Sequence, residues 1–141
     1  MTDDSHIESS NSIELVGKVR YSETDQMGVA HNKNYFEWFE LGRTEFCRQK
    51  GLPYKDIESQ GYFLVVAEAT CRYKKPLRYD DNFIIHVSLK LATPKKIIFD
   101  YSLLSENRED VLAHGQTVHI ATNARSEVTP LPPRILNKIK S

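Results

Sequence analysis

Cysteine is scarce in this chain, with Cys47 and Cys71 the two present, and they fit no Cys-x-x-Cys spacing. A disulfide framework or a structural zinc site is therefore not expected, and both are read as buried thiols. Long apolar runs are also lacking. The longest, about Phe63 to Ala67, falls far short of the ~20 residues that span a bilayer, so no membrane span is expected. Charge of one sign is missing as well: nineteen basic side chains balance nineteen acidic ones, which gives no general attraction to nucleic acid or to an anionic membrane. The opening MTDDSHIESSNS has neither the basic start nor the apolar centre of a secretory signal, and the cytoplasm is the expected location.

What is present suits one domain. A chain of 141 residues buries roughly two thirds of its unfolded surface around a single core. Residues 1–12 are polar, lack periodicity and read as a flexible tail, leaving 13–141 as the domain. From Ile13 to Tyr21 apolar and polar residues alternate, as in a half-buried strand. Between Asn32 and Lys50, Tyr35, Phe36, Phe39, Phe46 and Cys47 recur at helical spacing, and Gly51 and Pro53 mark the helix end. Four more strands are predicted at 62–73, 82–93, 96–106 and 110–123, with short connections that suit antiparallel hairpins. One long helix and five strands imply an α+β fold with the sheet curved around the helix. Pro130, Pro132 and Pro133 break the chain after the last strand, and RILNKIK reads as a short helix or a frayed tail.

The connection from Ser22 to Tyr35 is longer than a strand-to-helix turn requires, and such loops often carry sites. It sets Asp25 just before a helix whose first amides lack intrahelical acceptors and can bind a developing oxyanion. The bland reading of Asp25 is a turn or capping residue. Asn34 followed by Glu37 can likewise be read as a cap that starts the helix slightly later. Glu40 and Arg43, three apart, would ordinarily be a weak surface ion pair, and Gly42 between them suggests close packing on the sheet.

The stretch YSETDQMGVAHNKNYFEWFELGRTEF, with the later YKKPLRYDD, resembles the signature of the 4-hydroxybenzoyl-CoA thioesterase family of hot-dog proteins over about residues 13–133. That resemblance implies a five- or six-stranded antiparallel sheet wrapped around one helix, a homodimer or homotetramer formed through the sheet, and active sites built between two subunits. It also implies hydrolysis of an acyl-CoA with no metal or redox cofactor, coenzyme A entering as part of the substrate. By position Asp25 falls on the family's catalytic carboxylate, acting as nucleophile or general base, and the amide of Asn32 on its oxyanion donor, with the amide of His31 beside it. Met27 offers an apolar wall to the acyl group, Gly28, Val29 and Tyr35 are the other candidate substrate contacts within the signature, and in a hot-dog dimer Glu40 and Arg43 could line the site rather than pair on the surface. Lys95 and Lys96 are the preferred partners for the nucleotide phosphates, ahead of Arg72, Lys74, Lys75 and Arg78. A dehydratase acting on hydroxyacyl thioesters, which would need His31 itself, and a non-catalytic module binding acyl-CoA or acyl carrier protein are the alternatives.

Overall fold

The computed structural model describes residues 11–141. Among the described residues there are five strands: β1 (Ser12–Lys18), β2 (Phe63–Tyr73), β3 (Asn82–Ala92), β4 (Lys96–Ser105) and β5 (Val111–Thr122). The long helix α1 (Lys33–Gln49) follows β1, α2 (Tyr54–Ser59) follows α1, and α3 (Pro133–Lys140) closes the chain. All pairings are antiparallel and the order is β1-β3-β4-β5-β2, so β1 and β2 are the sheet edges. The expected flexible tail lies outside the described residues except at its end, where Ser12 already pairs with Ser88.

Helix α1 lies on one face of the sheet because every third or fourth residue is apolar and meets an inward-facing strand position. Trp38 packs on Phe83 at 4.6 Å between ring centroids, Phe39 stacks on Tyr101 at 4.4 Å, and Phe46 meets Phe99 edge-on at 5.3 Å. Phe39, Phe46, Phe83 and Phe99 are fully buried. Each such side chain contributes roughly 1.5–3 kcal/mol by leaving water. Gly42 permits the close approach: a Cβ there would stand 2.4 Å from Val87 Cγ2. The helix ends at a left-handed Gly51, φ 77°, whose neighbour Leu52 donates its N–H to Cys47 O at 2.9 Å.

Two readings need correction. The C-terminal segment is not a frayed tail, since Ile135 and Ile139 of α3 are in the core. Its four-residue spacing puts both on one helix face. Asn34 does not cap α1, whose N-cap is Asn32, and the Asn34 amide is buried and bonded elsewhere. Among the described residues no helix is long and apolar enough to cross a membrane.

Candidate active site

The loop between β1 and α1 is a miniature hairpin. Gly28 N–H donates to Asp25 O at 3.0 Å and Asp25 N–H to Val29 O at 2.9 Å, with Gly28 at φ 76°, a conformation that glycine adopts without a Cβ clash. Thr24 bridges Ala30 across it. The YKKPLRYDD segment clamps its outer side: Ala30 N–H donates to Leu77 O at 2.8 Å and Tyr79 N–H to Gly28 O at 2.9 Å, while Leu77 is buried.

Asp25 holds this turn through one carboxylate oxygen. Its Oδ1 accepts Met27 N–H at 2.8 Å and Val29 N–H at 3.0 Å. The residue is exposed, and no hydrogen bond to Oδ2 occurs among the described residues. The Val29 N–H bond holds the carboxyl below the ordinary aspartate value of 3.8, helped by Met27 N–H and the charge of His31 against a smaller desolvation effect. The turn reading and the chemical reading of Asp25 are thus compatible, because one oxygen serves each.

Glu23, two residues earlier, has the opposite environment. It is buried, with Oε1 accepting Arg20 N–H at 2.7 Å and Oε2 accepting Arg20 Nη2 at 3.2 Å and Trp38 Nε1 at 3.3 Å. Its carbonyl accepts His31 N–H at 2.9 Å and Asn34 Nδ2 at 2.7 Å, which ties the loop to the start of α1. The His31 amide is therefore not free for an oxyanion, contrary to the sequence reading. The Asn32 amide differs: no acceptor meets it among the described residues.

In the single chain these groups open on neighbouring but separate clefts. One, of about 380 Å³, is lined by Tyr21, Thr24, Asp25, Gln26 and His31. The other, of about 290 Å³, includes Val29, Asn32, Tyr35, Tyr73, Lys74 and Lys75. Tyr35 is buried and meets Tyr73 edge-on at 4.8 Å, whereas Met27 is 81 % exposed and lines neither cleft. Lys95 and Lys96 lie at the far end of β3, whose 11 residues span roughly 35 Å at ~3.3 Å each, so one chain does not bring them to Asp25. Lys74 and Lys75 are the cations at the Asn32 cleft, Lys75 being paired with Asp110 at 2.8 Å. The largest concavity, about 720 Å³, lies elsewhere, among polar side chains such as Asp100, Ser102, His114 and Gln116, and shares no residue with either cleft. Polar residues are the ordinary covering of the solvated face of an antiparallel sheet. Among the described residues no three His, Cys, Asp or Glu side chains gather as a metal site.

One feature escaped the sequence reading, the buried Glu23; Arg43, read as a weak surface ion pair with Glu40 or as a residue lining the site of a hot-dog dimer, is buried and forms no ion pair with Glu40. Glu23 carries a local signal, the Arg20–Glu23 spacing, but its partner Trp38 lies on the helix. For Arg43 the acidic neighbour three residues away suggested the ion pair that the structure lacks.

The fold and loop have close counterparts. A provisionally named esterase of Aquifex aeolicus is 35 % identical over 123 residues, covering 87 % of this chain and 94 % of the relative. A Bacillus subtilis protein, provisionally named the acyl-CoA thioesterase YneP, is 36 % identical over 86 residues, 61 % of this chain and 62 % of its own. The crystal structure of a DHNA-CoA thioesterase from Staphylococcus aureus superposes with a TM-score of 0.81 at 26 % identity, covering 87 % of this chain and 82 % of that one. The sequence profile described as the Thioesterase-like superfamily matches residues 19–139, and this hot-dog chain belongs to that superfamily of thioester hydrolases.

Proposed function

We propose that this protein hydrolyses an acyl-CoA thioester with Asp25 as the reacting carboxylate and the Asn32 amide as oxyanion donor. The observation that carries the proposal is the division of labour on Asp25, one oxygen fixed by two backbone amides and the other unbonded on an ionised, exposed group. This favours direct attack over general-base catalysis, which benefits from a carboxyl pushed up by burial. Oδ2 bonds to the thioester carbon and the C–S bond breaks, giving a mixed anhydride and a thiolate that takes up a proton. Water then attacks the anhydride, releasing the free acid and restoring the carboxylate. Negative charge on the carbonyl oxygen is met by Asn32 N–H at the positive end of α1. No metal or redox cofactor takes part in these steps.

A second copy of the chain completes the site in this proposal. The free edge of β2 exposes Val65 and Val66 and its middle from Ala67 to Thr70, a surface that suits strand pairing. Across the sheet, Val65 pairs with Ile120 and Ile120 with Lys96, whereas Tyr73 stands at the other end of β2 beside the Asn32 cleft. Antiparallel pairing of two β2 edges carries the second copy's Lys95–Lys96 hairpin to the same end as this chain's Asn32, which is where the CoA phosphates would need it.

His31 shares the Asp25 cleft, and this keeps the dehydratase reading testable. Thiol release from a panel of acyl-CoA esters, compared with water loss from hydroxyacyl esters, separates the two. Thiol release abolished by Asp25→Ala and retained in His31→Ala is the expected result. Unchanged thiol release in both Asp25→Ala and Asp25→Asn would sink the proposal, and binding of the esters without turnover would identify a binding module.

A further inference from the structure

Helix α1 runs beside β5 and β2 from the candidate site to a buried cation. Tyr35 meets Tyr73 at one end, and Phe39 next fills the space where a Cβ on Gly115 would lie. One turn further stands Arg43, 9 % exposed. Along β2 the matching positions are Tyr73, Cys71, Ala69 and Val66, whose partners on β5 are Ala113, Gly115, Thr117 and His119. Directly paired residues of neighbouring strands share a face. Thr117 and His119 are buried, yet Val66, Ala69 and Tyr73 are exposed, so a strip of the helix-facing side of β2 is uncovered between Asn32 and Arg43.

No carboxylate pairs with Arg43 among the described residues. Hydroxyls and an imidazole surround it instead. Tyr101 Oη and Thr117 Oγ1 are 2.6 Å apart, and His119 Nε2 lies 2.9 Å from the same Thr117 oxygen. Among the described residues Tyr54 Oη and His119 Nδ1 are buried without a closely aligned hydrogen bond, Tyr54 lying beside Arg43 and His119 beside the Leu64 backbone. The Arg43 guanidinium lies against the Tyr54 and Tyr101 hydroxyls, and the Cys47 thiol also neighbours Tyr54, so the groups around the cation are neutral ones. Burial, reinforced by the charge of Arg43, pushes His119 down to about 4, so its ring is neutral at pH 7. A buried cation met by neutral hydroxyls and a neutral imidazole, with no anion beside it, is costly, and such a site describes a receptor for an anionic oxygen group. The planar guanidinium fork matches a carboxylate.

We propose that Arg43, with Tyr54 and His119, receives the far end of the acyl group and selects thioesters whose acyl chain ends in a carboxylate. This rests on the thioesterase reading of the Asp25 site. Arg43 lies eleven positions after Asn32, which is ~16 Å along the helix, and acyl chains of about eight to twelve carbons fit that reach.

The test uses the full chain and matched substrates, the mono-CoA thioester of a saturated dicarboxylic acid and the plain acyl-CoA of equal length. The wild type should favour the carboxyl-ended substrate about tenfold or more in kcat/KM. Arg43→Met should remove that preference while leaving the methyl-ended substrate within about twofold, and should not lower Tm, because an apolar isostere often improves on a buried cation. Tyr54→Phe, which keeps the ring, should weaken the preference severalfold. No preference in the wild type overturns the proposal, as does an equal loss on both substrates accompanied by a lower Tm in Arg43→Met. If neither ester is hydrolysed, the Asp25 reading fails on its own. Calorimetric binding of the same pair then decides this one: a carboxylate preference lost in Arg43→Met supports it, and equal affinities refute it.

Discussion

Glu23 and Asp25 are two acidic residues on one short loop, and the fold uses them in opposite ways. Glu23 is buried, with both oxygens bonded to Arg20 and Trp38 and its carbonyl bonded to His31 and Asn34. Asp25 is exposed, and only Oδ1 has partners. A carboxylate with both oxygens engaged positions its neighbours, whereas one with a free, ionised oxygen can meet an electrophile. The difference teaches that burial and saturation identify the anchor, and that a partly satisfied acid on an anchored turn is the candidate for chemistry.

The contrast can be broken most severely by Asp25→Asn. The amide oxygen can still accept Met27 and Val29 N–H, so Tm should hold while kcat/KM for thioester hydrolysis falls by about 100-fold or more. Glu23→Ala should do the reverse in kind. It leaves the Arg20 amide and Trp38 Nε1 unpaired, at about 1–3 kcal/mol, and denaturant unfolding should show that loss with a smaller drop in kcat/KM than Asp25→Asn causes. Gly28→Ala sharpens the comparison from the backbone side. At φ 76° a Cβ costs roughly 1 kcal/mol, and a shifted turn should lower kcat/KM more than it lowers stability. His31→Ala should be the mildest, within about threefold for hydrolysis, because the backbone amide bonded to Glu23 survives the substitution.

Acid provides a separate lever. The folded value of Asp25 lies below 3.8, so its ionised form is favoured by folding. Its contribution to stability is present above the unfolded value and is lost as pH falls through the lower folded one. The acid limb of kcat/KM should therefore fall below pH 3.8, and a limb near pH 6 would indicate a buried general base instead.

Much of the fold was legible because its signals are periodic. Phe39 and Phe46 at helical spacing announced the face that meets Tyr101 and Phe99, and the predicted helix 32–50 differs by one residue at each end from Lys33–Gln49. The four later strands fall within one residue of their predicted ends for the same reason. Gly42 announced its contact with Val87, since a helix-interior glycine is retained at a cost. Local chemistry was legible too: the turn built on Asp25 and Gly28 follows from residue types that favour it. What could not be read depends on tertiary contact. Trp38 reaches Glu23 only once α1 has packed, and Arg43 enters the core because α2 and β5 place hydroxyls and His119 around it. The His31 amide is taken by a carbonyl eight residues earlier, and β3 alone fixes the distance from Lys95 to Asp25.

The most direct measurement follows thiol release and thermal unfolding side by side in the wild type and Asp25→Asn, on an acyl-CoA that the wild type hydrolyses. A fall in kcat/KM of about 100-fold or more with an unchanged Tm is the expected result. Wild-type turnover by a folded Asp25→Asn protein would contradict the assignment of Asp25 as the reacting carboxylate.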